Sequence, residues 1–132
     1  MKTRTALVAL AALLGAAATL EGCVVVAVGA GAAGVAYLNG DLEATLDATP
    51  PRVVDATEAA LKEMEVEIQP PERSGIDGRV VGRTALNRKV EVTVKRETDA
   101  TSKVWIRIDT FGDEPLSRQI LEKIKAHLQR SD

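Results

Sequence analysis

Residues 89–109 read KVEVTVKRETDATSKVWIRID. Val90, Val92 and Val94 alternate with Lys89, Glu91, Thr93 and Lys95, and Val104, Ile106 and Ile108 alternate with Lys103, Trp105, Arg107 and Asp109. Successive side chains on a strand point to opposite faces, so each run has one apolar and one polar side. A polar loop around residues 98–101 joins them, and the pair reads as an antiparallel hairpin. Its apolar face must be covered, while its polar face meets water.

The flanking sequence supplies the cover. Upstream, Ile76, Gly78, Val80 and Gly82 share one side of a strand over residues 76–84, and the two glycines leave room for a helix to lie close to the sheet. Leu86-Asn87-Arg88 is the connection to the hairpin. Residues 66–69 form a short strand stopped by Pro70-Pro71, and residues 72–75 a polar turn. Further upstream, residues 41–48 alternate strictly, with Leu42, Ala44, Leu46 and Ala48 on one side and Asp41, Glu43, Thr45 and Asp47 on the other.

Between these strands, Thr49 is a candidate N-cap and Pro50 occupies the first helical position, where a missing N–H costs nothing. Val53, Val54, Thr57, Ala60, Leu61 and Met64 form the apolar stripe of a helix reaching about Glu65. Downstream of the hairpin, Phe111-Gly112-Asp113 breaks the alternation. Phe111 is expected to plug the end of the core, Asp113 or Glu114 to cap a last helix, and Pro115 to sit in its first turn. Leu116, Ile120, Leu121, Ile124 and Leu128 are its buried stripe. The order strand, helix, four strands, helix predicts an α+β domain over residues 39–132. It is an antiparallel sheet of about five strands with two helices on one face.

The N-terminal segment has a different character. Lys2 and Arg4 precede an uninterrupted run of Ala, Leu, Val, Gly and Thr from Ala6 to Leu20, and Leu20-Glu21-Gly22-Cys23 closes it. That is the n-region, h-region and cleavage site of a secretory leader over residues 1–22. An aliphatic residue three before the cysteine and a small one directly before it suit lipoprotein processing. Glu21 departs from the small or uncharged residue usual between them. Cys23 is the only cysteine, so no disulfide forms within the chain, and lipidation of its sulfur is the expected role. Several acyl chains hold a protein firmly on its bilayer where a single one does so only marginally.

Composition leaves room for one ordinary domain. The net charge of -2 becomes about -3 once Lys2, Arg4 and Glu21 leave with the leader. No basic field remains for nucleic acid. Aromatic residues are 2% of the chain, namely Tyr37, Trp105 and Phe111, so the core must be aliphatic.

Residues 24–38, VVVAVGAGAAGVAYL, contain Gly29, Gly31 and Gly34 at dinucleotide-fingerprint spacing. That fingerprint requires a strand before it, a helix opening at it and a βαβ unit around it, whereas here the preceding valines directly follow the expected lipidated terminus and a strand is expected next. No cofactor is expected. Together with Cys23, residues 23–38 read as a lipidated, apolar tether. As a helix its fifteen apolar residues would reach only about 22 Å, short of a roughly 30 Å hydrocarbon core. Ala27/Gly31 and Ala30/Gly34 are small-xxx-small pairs of the kind that pack helices in lipid.

Gly22-Cys23, the Gly/Ala-rich run, residues 37–46 (YLNGDLEATL) and residues 110–121 (TFGDEPLSRQIL) together resemble a family of small bacterial lipoproteins of unknown function. The resemblance covers nearly the whole mature chain and carries over no catalytic residue, because the family has no assigned activity.

Candidate sites are few. His127 is the only histidine, in the last helical turn where the dipole favours it, and no metal site is expected. Ser74, Ser102, Ser117 and Ser131 have no nearby base. The acidic residues Asp41, Glu43, Asp47, Asp109, Asp113 and Glu114 suit solvated faces and caps better than a facing carboxylate pair. Trp105 is expected on the face away from the helices, beside Arg79, Arg83, Lys95 and Arg107. Two readings stand: a platform for a peptide, envelope polymer or partner protein, or an indole covered by cationic stems.

The expected function is therefore a non-enzymatic, membrane-anchored envelope lipoprotein, held in membrane lipid through Cys23 and engaging another envelope component. A carboxylate-dependent envelope hydrolase and a lipid-phase oligomer through the glycine-rich segment are the alternatives. Val24 is not the aspartate that commonly retains lipoproteins at the inner membrane, which directs the expectation to the outer membrane's periplasmic leaflet.

Overall fold

The computed structural model describes residues Gly34–Asp132. The expected leader over residues 1–22, Cys23, Gly29 and Gly31 lie outside the described residues. Seven strands, β1 (Val35–Leu38), β2 (Asp41–Leu46), β3 (Glu67–Ile68), β4 (Glu72–Arg73), β5 (Asp77–Arg83), β6 (Lys89–Arg96) and β7 (Ser102–Ile108), make one sheet in the order β1-β2-β7-β6-β5-β3. β4 also pairs with β5, and every pairing is antiparallel. Two helices, α1 (Pro50–Glu63) and α2 (Glu114–Arg130), pack on each other and on β2, β5, β6 and β7.

The alternating runs decide which face is covered. Leu42, Val80, Val90, Val92, Val94, Val104, Ile106 and Ile108 are buried under Val53, Val54, Ala60 and Leu61 of α1 and Ile120, Leu121 and Ile124 of α2. The α+β class and the one-sided placement of the helices follow from that alternation. Gly78 performs the role its sequence suggests, since a Cβ there would run into Val54 Cγ2 of α1. At Gly82 a Cβ would lie 2.7 Å from Val66 Cγ1 and 2.8 Å from the Glu67 carbonyl oxygen, so this glycine admits the chain leaving α1.

The sheet has more strands than the expected five, for two reasons. Val35–Leu38, read from sequence as part of the tether, pair with β2 through a two-residue turn at Asn39-Gly40. Asn39 at φ 53 and Gly40 at φ 90 both have the left-handed backbone that such hairpin turns require. Residues 72–73, expected as polar turn, form β4 because Pro70-Pro71 only interrupts the outer edge. The chain pairs with β5 before the prolines at Glu67–Ile68 and again after them.

Both helices start at the expected places by different means. Asp113 accepts the Leu116 N–H at 3.0 Å and caps α2. Thr49 stands at the N-cap of α1, but its side chain makes no capping bond; its carbonyl accepts the Val53 N–H at 3.0 Å. Phe111 does not plug the core, being 91% exposed. The backbone takes the space instead: a Cβ on Gly40 would sit 2.8 Å from the Phe111 carbonyl oxygen, and one on Gly112 would sit 2.5 Å from the Tyr37 hydroxyl and overlap the Gly40 carbonyl oxygen. With the two turns in backbone contact, the Phe111 ring has no route inward.

Candidate binding face

The uncovered face of the sheet carries Trp105. On β7 the inward Val104 and Ile106 send Trp105 outward, and across the sheet the register places Glu43, Trp105, Thr93 and Arg79 in one row. The indole is half-buried. Lys103 Nζ lies 5.4 Å from its ring centroid, within cation–π range, and also pairs with Glu43 at 3.1 Å. Residues two apart on a strand share a face, so Lys103 was the cation to expect from position alone.

A shallow depression of about 290 Å³ is lined by Asp41, Glu91, Thr93, Lys95, Trp105 and Arg107. The structure therefore brings Arg107 and Lys95 to the indole. Arg79 sits two strand spacings away, roughly 10 Å, beyond Thr93. Arg83 ends β5, exposed, donates to the Asn87 carbonyl at 3.2 Å and lines a neighbouring depression with Lys89 and Asp109.

Most charges on this face are neutralised in place. Arg107 pairs with Asp41 at 2.8 Å and donates to the Thr110 carbonyl at 2.9 Å, while Arg79 and Lys89 both reach Glu91 at 3.0 Å. The Arg79 hydrogen bond, with help from Lys89, holds the Glu91 carboxyl below its ordinary range. Among the described residues Arg83 and Lys95 have no carboxylate within ion-pair distance. The result is a mixed-charge surface with one aromatic, suited to a polar, extended ligand and poorly suited to a highly charged one.

The carboxylates near the last turn are structural clamps. Asp109 accepts the Lys89 N–H at 2.8 Å and Arg88 Nε at 3.0 Å; Asp113 accepts Arg88 Nη1 at 2.7 Å besides capping α2. The backbone N–H groups first, then Arg88, hold both carboxyls below the usual carboxylate range. A general acid needs the opposite displacement. Glu114 pairs with Arg118 at 2.8 Å on the same helix. His127 Nε2 meets Glu63 of α1 at 2.8 Å, and Lys123 reaches the same carboxylate at 2.7 Å, so the histidine joins the two helices. Glu63 is lowered to about 2 by the Lys123 hydrogen bond and then by His127. Among the described residues no three His, Cys, Asp or Glu side chains converge as a metal would require.

These features define an α+β two-layer domain with one covered and one open sheet face. A family model described as "Protein of unknown function (DUF3568)" matches residues 5–127, and the chain belongs to that family. No curated protein matches it.

Proposed function

We propose that this chain is a membrane-anchored lipoprotein of the cell envelope whose α+β domain is a non-enzymatic binding module. Acyl chains on Cys23 hold it in the bilayer, on the periplasmic leaflet of the outer membrane where the organism has one. The open face around Trp105 and Arg107 engages an envelope protein or polymer. One observation carries the reading: a basic start followed by an uninterrupted apolar run, the pattern of a leader, ends at the only cysteine, eleven residues before the described domain begins. The open face supports the second half, offering an indole, Lys95 and the Arg107–Asp41 pair to a polar ligand.

Intact-mass spectrometry of the native product tests the anchor. The expected product begins at Cys23 and carries acyl mass, and Cys23→Ala leaves the chain unacylated and releases it from membranes after processing or leaves the leader in place. An unacylated wild-type chain refutes the anchor. Capture of envelope partners on the detergent-solubilised protein tests the face: recovery falls in Trp105→Ala and Arg107→Ala, whose folding is checked by circular dichroism. Unchanged recovery in both removes the platform.

A further inference from the structure

Among the described residues four large apolar side chains stand exposed, and three of them share one end of the sheet. Leu38 is 57% exposed at the end of β1, Leu86 is 84% exposed in the turn between β5 and β6, and Phe111 is 91% exposed in the turn after β7. The register places these turns together. Leu38 opposes Asp41, Asp41 opposes Arg107, and the Asp109 N–H bonds to the Lys89 carbonyl beside the β5–β6 turn. The three prongs thus span no more than four strand spacings, roughly 19 Å. The fourth, Ile76, lies at the opposite end beside Arg96.

Scattered exposed leucines are ordinary, but three apolar tips on three adjoining turns are not scattered. The turns are also fixed. Asn39, Asn87 and Asp109 hold left-handed backbone at φ 53, 61 and 52, Arg88 clamps Asp109 and Asp113, and Gly40 packs on the turn bearing Phe111. Between the prongs lie paired charges, Arg88 with Asp109 and Asp113, and Arg107 with Asp41.

We infer that this end of the domain dips Leu38, Leu86 and Phe111 into the surface of the bilayer that carries the protein. A folded partner would need pockets matched to three separate exposed tips; a fluid acyl layer accepts them without matching shape, while the paired charges stay at the headgroup level. Near-balanced charge around the tips predicts weak dependence on anionic lipid. The geometry of the tether permits the contact. The eleven residues from Cys23 to Gly34 span at most about 36–40 Å extended, and Leu38 lies only four residues, roughly 14 Å, further along β1. The inference rests on the membrane anchor proposed above. It adds an orientation: the sheet stands on its loop end, and the Trp105 face is open sideways.

The test is bromolipid quenching on the full processed chain in phosphatidylcholine vesicles whose acyl chains carry bromine. In a Trp105→Phe background, single tryptophans are placed at exposed positions where folding is not at stake: Phe111→Trp, Leu86→Trp and Ile76→Trp. The expected result is blue-shifted emission that loses most of its intensity at the first two positions, with unshifted, unquenched emission at the third. The inference is overturned by quenching at Ile76→Trp alone, by no quenching anywhere on vesicle-bound protein, or by a blue shift without quenching, which marks a protein contact. A chain that does not attach to the vesicles, with Cys23 unacylated by mass, overturns the anchor itself.

Discussion

Replacing Gly78 with alanine isolates how closely α1 approaches the sheet. The new methyl would overlap Val54 Cγ2, which is buried. Valine in a helix has essentially one χ1 rotamer, so the neighbour cannot swing aside and the helix must shift. Overpacking of this kind costs about 1–3 kcal/mol, and the Gly→Ala gain from a stiffer unfolded chain returns about 0.4–1 kcal/mol. Gly78→Ala is therefore expected to destabilise by about 1–2 kcal/mol, a fall in Tm of roughly 5–15 °C for a domain of this size. Val54→Ala alone removes two buried methylene equivalents and leaves a cavity, at about 2–3 kcal/mol. In the double variant the methyl added to Gly78 fills the vacated space, so the two losses combine to about 1–2 kcal/mol less than their sum. Urea unfolding followed by far-UV circular dichroism reads all four proteins, with m-values checked for constancy. Losses that add within about 0.5 kcal/mol would show that Val54 is not what excludes a side chain at Gly78.

Further outcomes follow from the same geometry. Asp113→Ala removes the α2 cap and one Arg88 partner and should cost about 1–2 kcal/mol, measured by the same unfolding curves. Ser117→Ala should be neutral or stabilising by about 1 kcal/mol, because Ser117 Oγ is buried with no hydrogen-bond partner among the described residues; a clear loss of stability would reveal one. Phe111→Ser should leave stability within about 0.5 kcal/mol of wild type, whereas a core plug would lose several times that. Glu63 has a folded pKa lowered from 4.5 to about 2, so its contribution is complete above 4.5 and is lost as pH falls toward 2. Glu63→Gln should flatten that part of the stability–pH curve, and an unchanged acid limb would count against the Lys123–Glu63–His127 link.

Much of this fold is legible in sequence because alternation and helical stripes report burial directly. Val90 to Val94, Val104 to Ile108 and Leu42 to Leu46 all point inward as their parity requires, and Val54, Leu61, Ile120 and Ile124 cover them. The outward direction of Trp105 follows from the same parity. β1 was obscured because Val35–Leu38 continue an apolar run beginning at Val24, so length and hydropathy suggested a tether. The signal that separates them is Asn39-Gly40 between Val35–Leu38 and the alternating run from Asp41, the strongest short-range mark of a hairpin. Phe111 misled because apolar character predicts burial only where space exists, and contact between two turn backbones removes it. The partners of Arg88, His127 and Glu63 lie 21 to 64 positions away, and no local pattern encodes such pairs.

The strand beginning at Val35 has a mechanical consequence. It is the outermost member of the sheet, bonded to a neighbour on one side among the described residues, and the N-terminal segment joins the domain through it. Any pull along that segment falls first on these four residues, while the fully buried side chains begin only at Leu42. Peeling them away would free the seven residues from Gly34 to Gly40 and extend the chain N-terminal to the sheet by up to about 25 Å, at the cost of half-buried Val35 and Tyr37 and of the contact between Gly40 and the turn bearing Phe111. Under the proposed anchor, this hairpin would yield at the hem before the body of the fold is loaded.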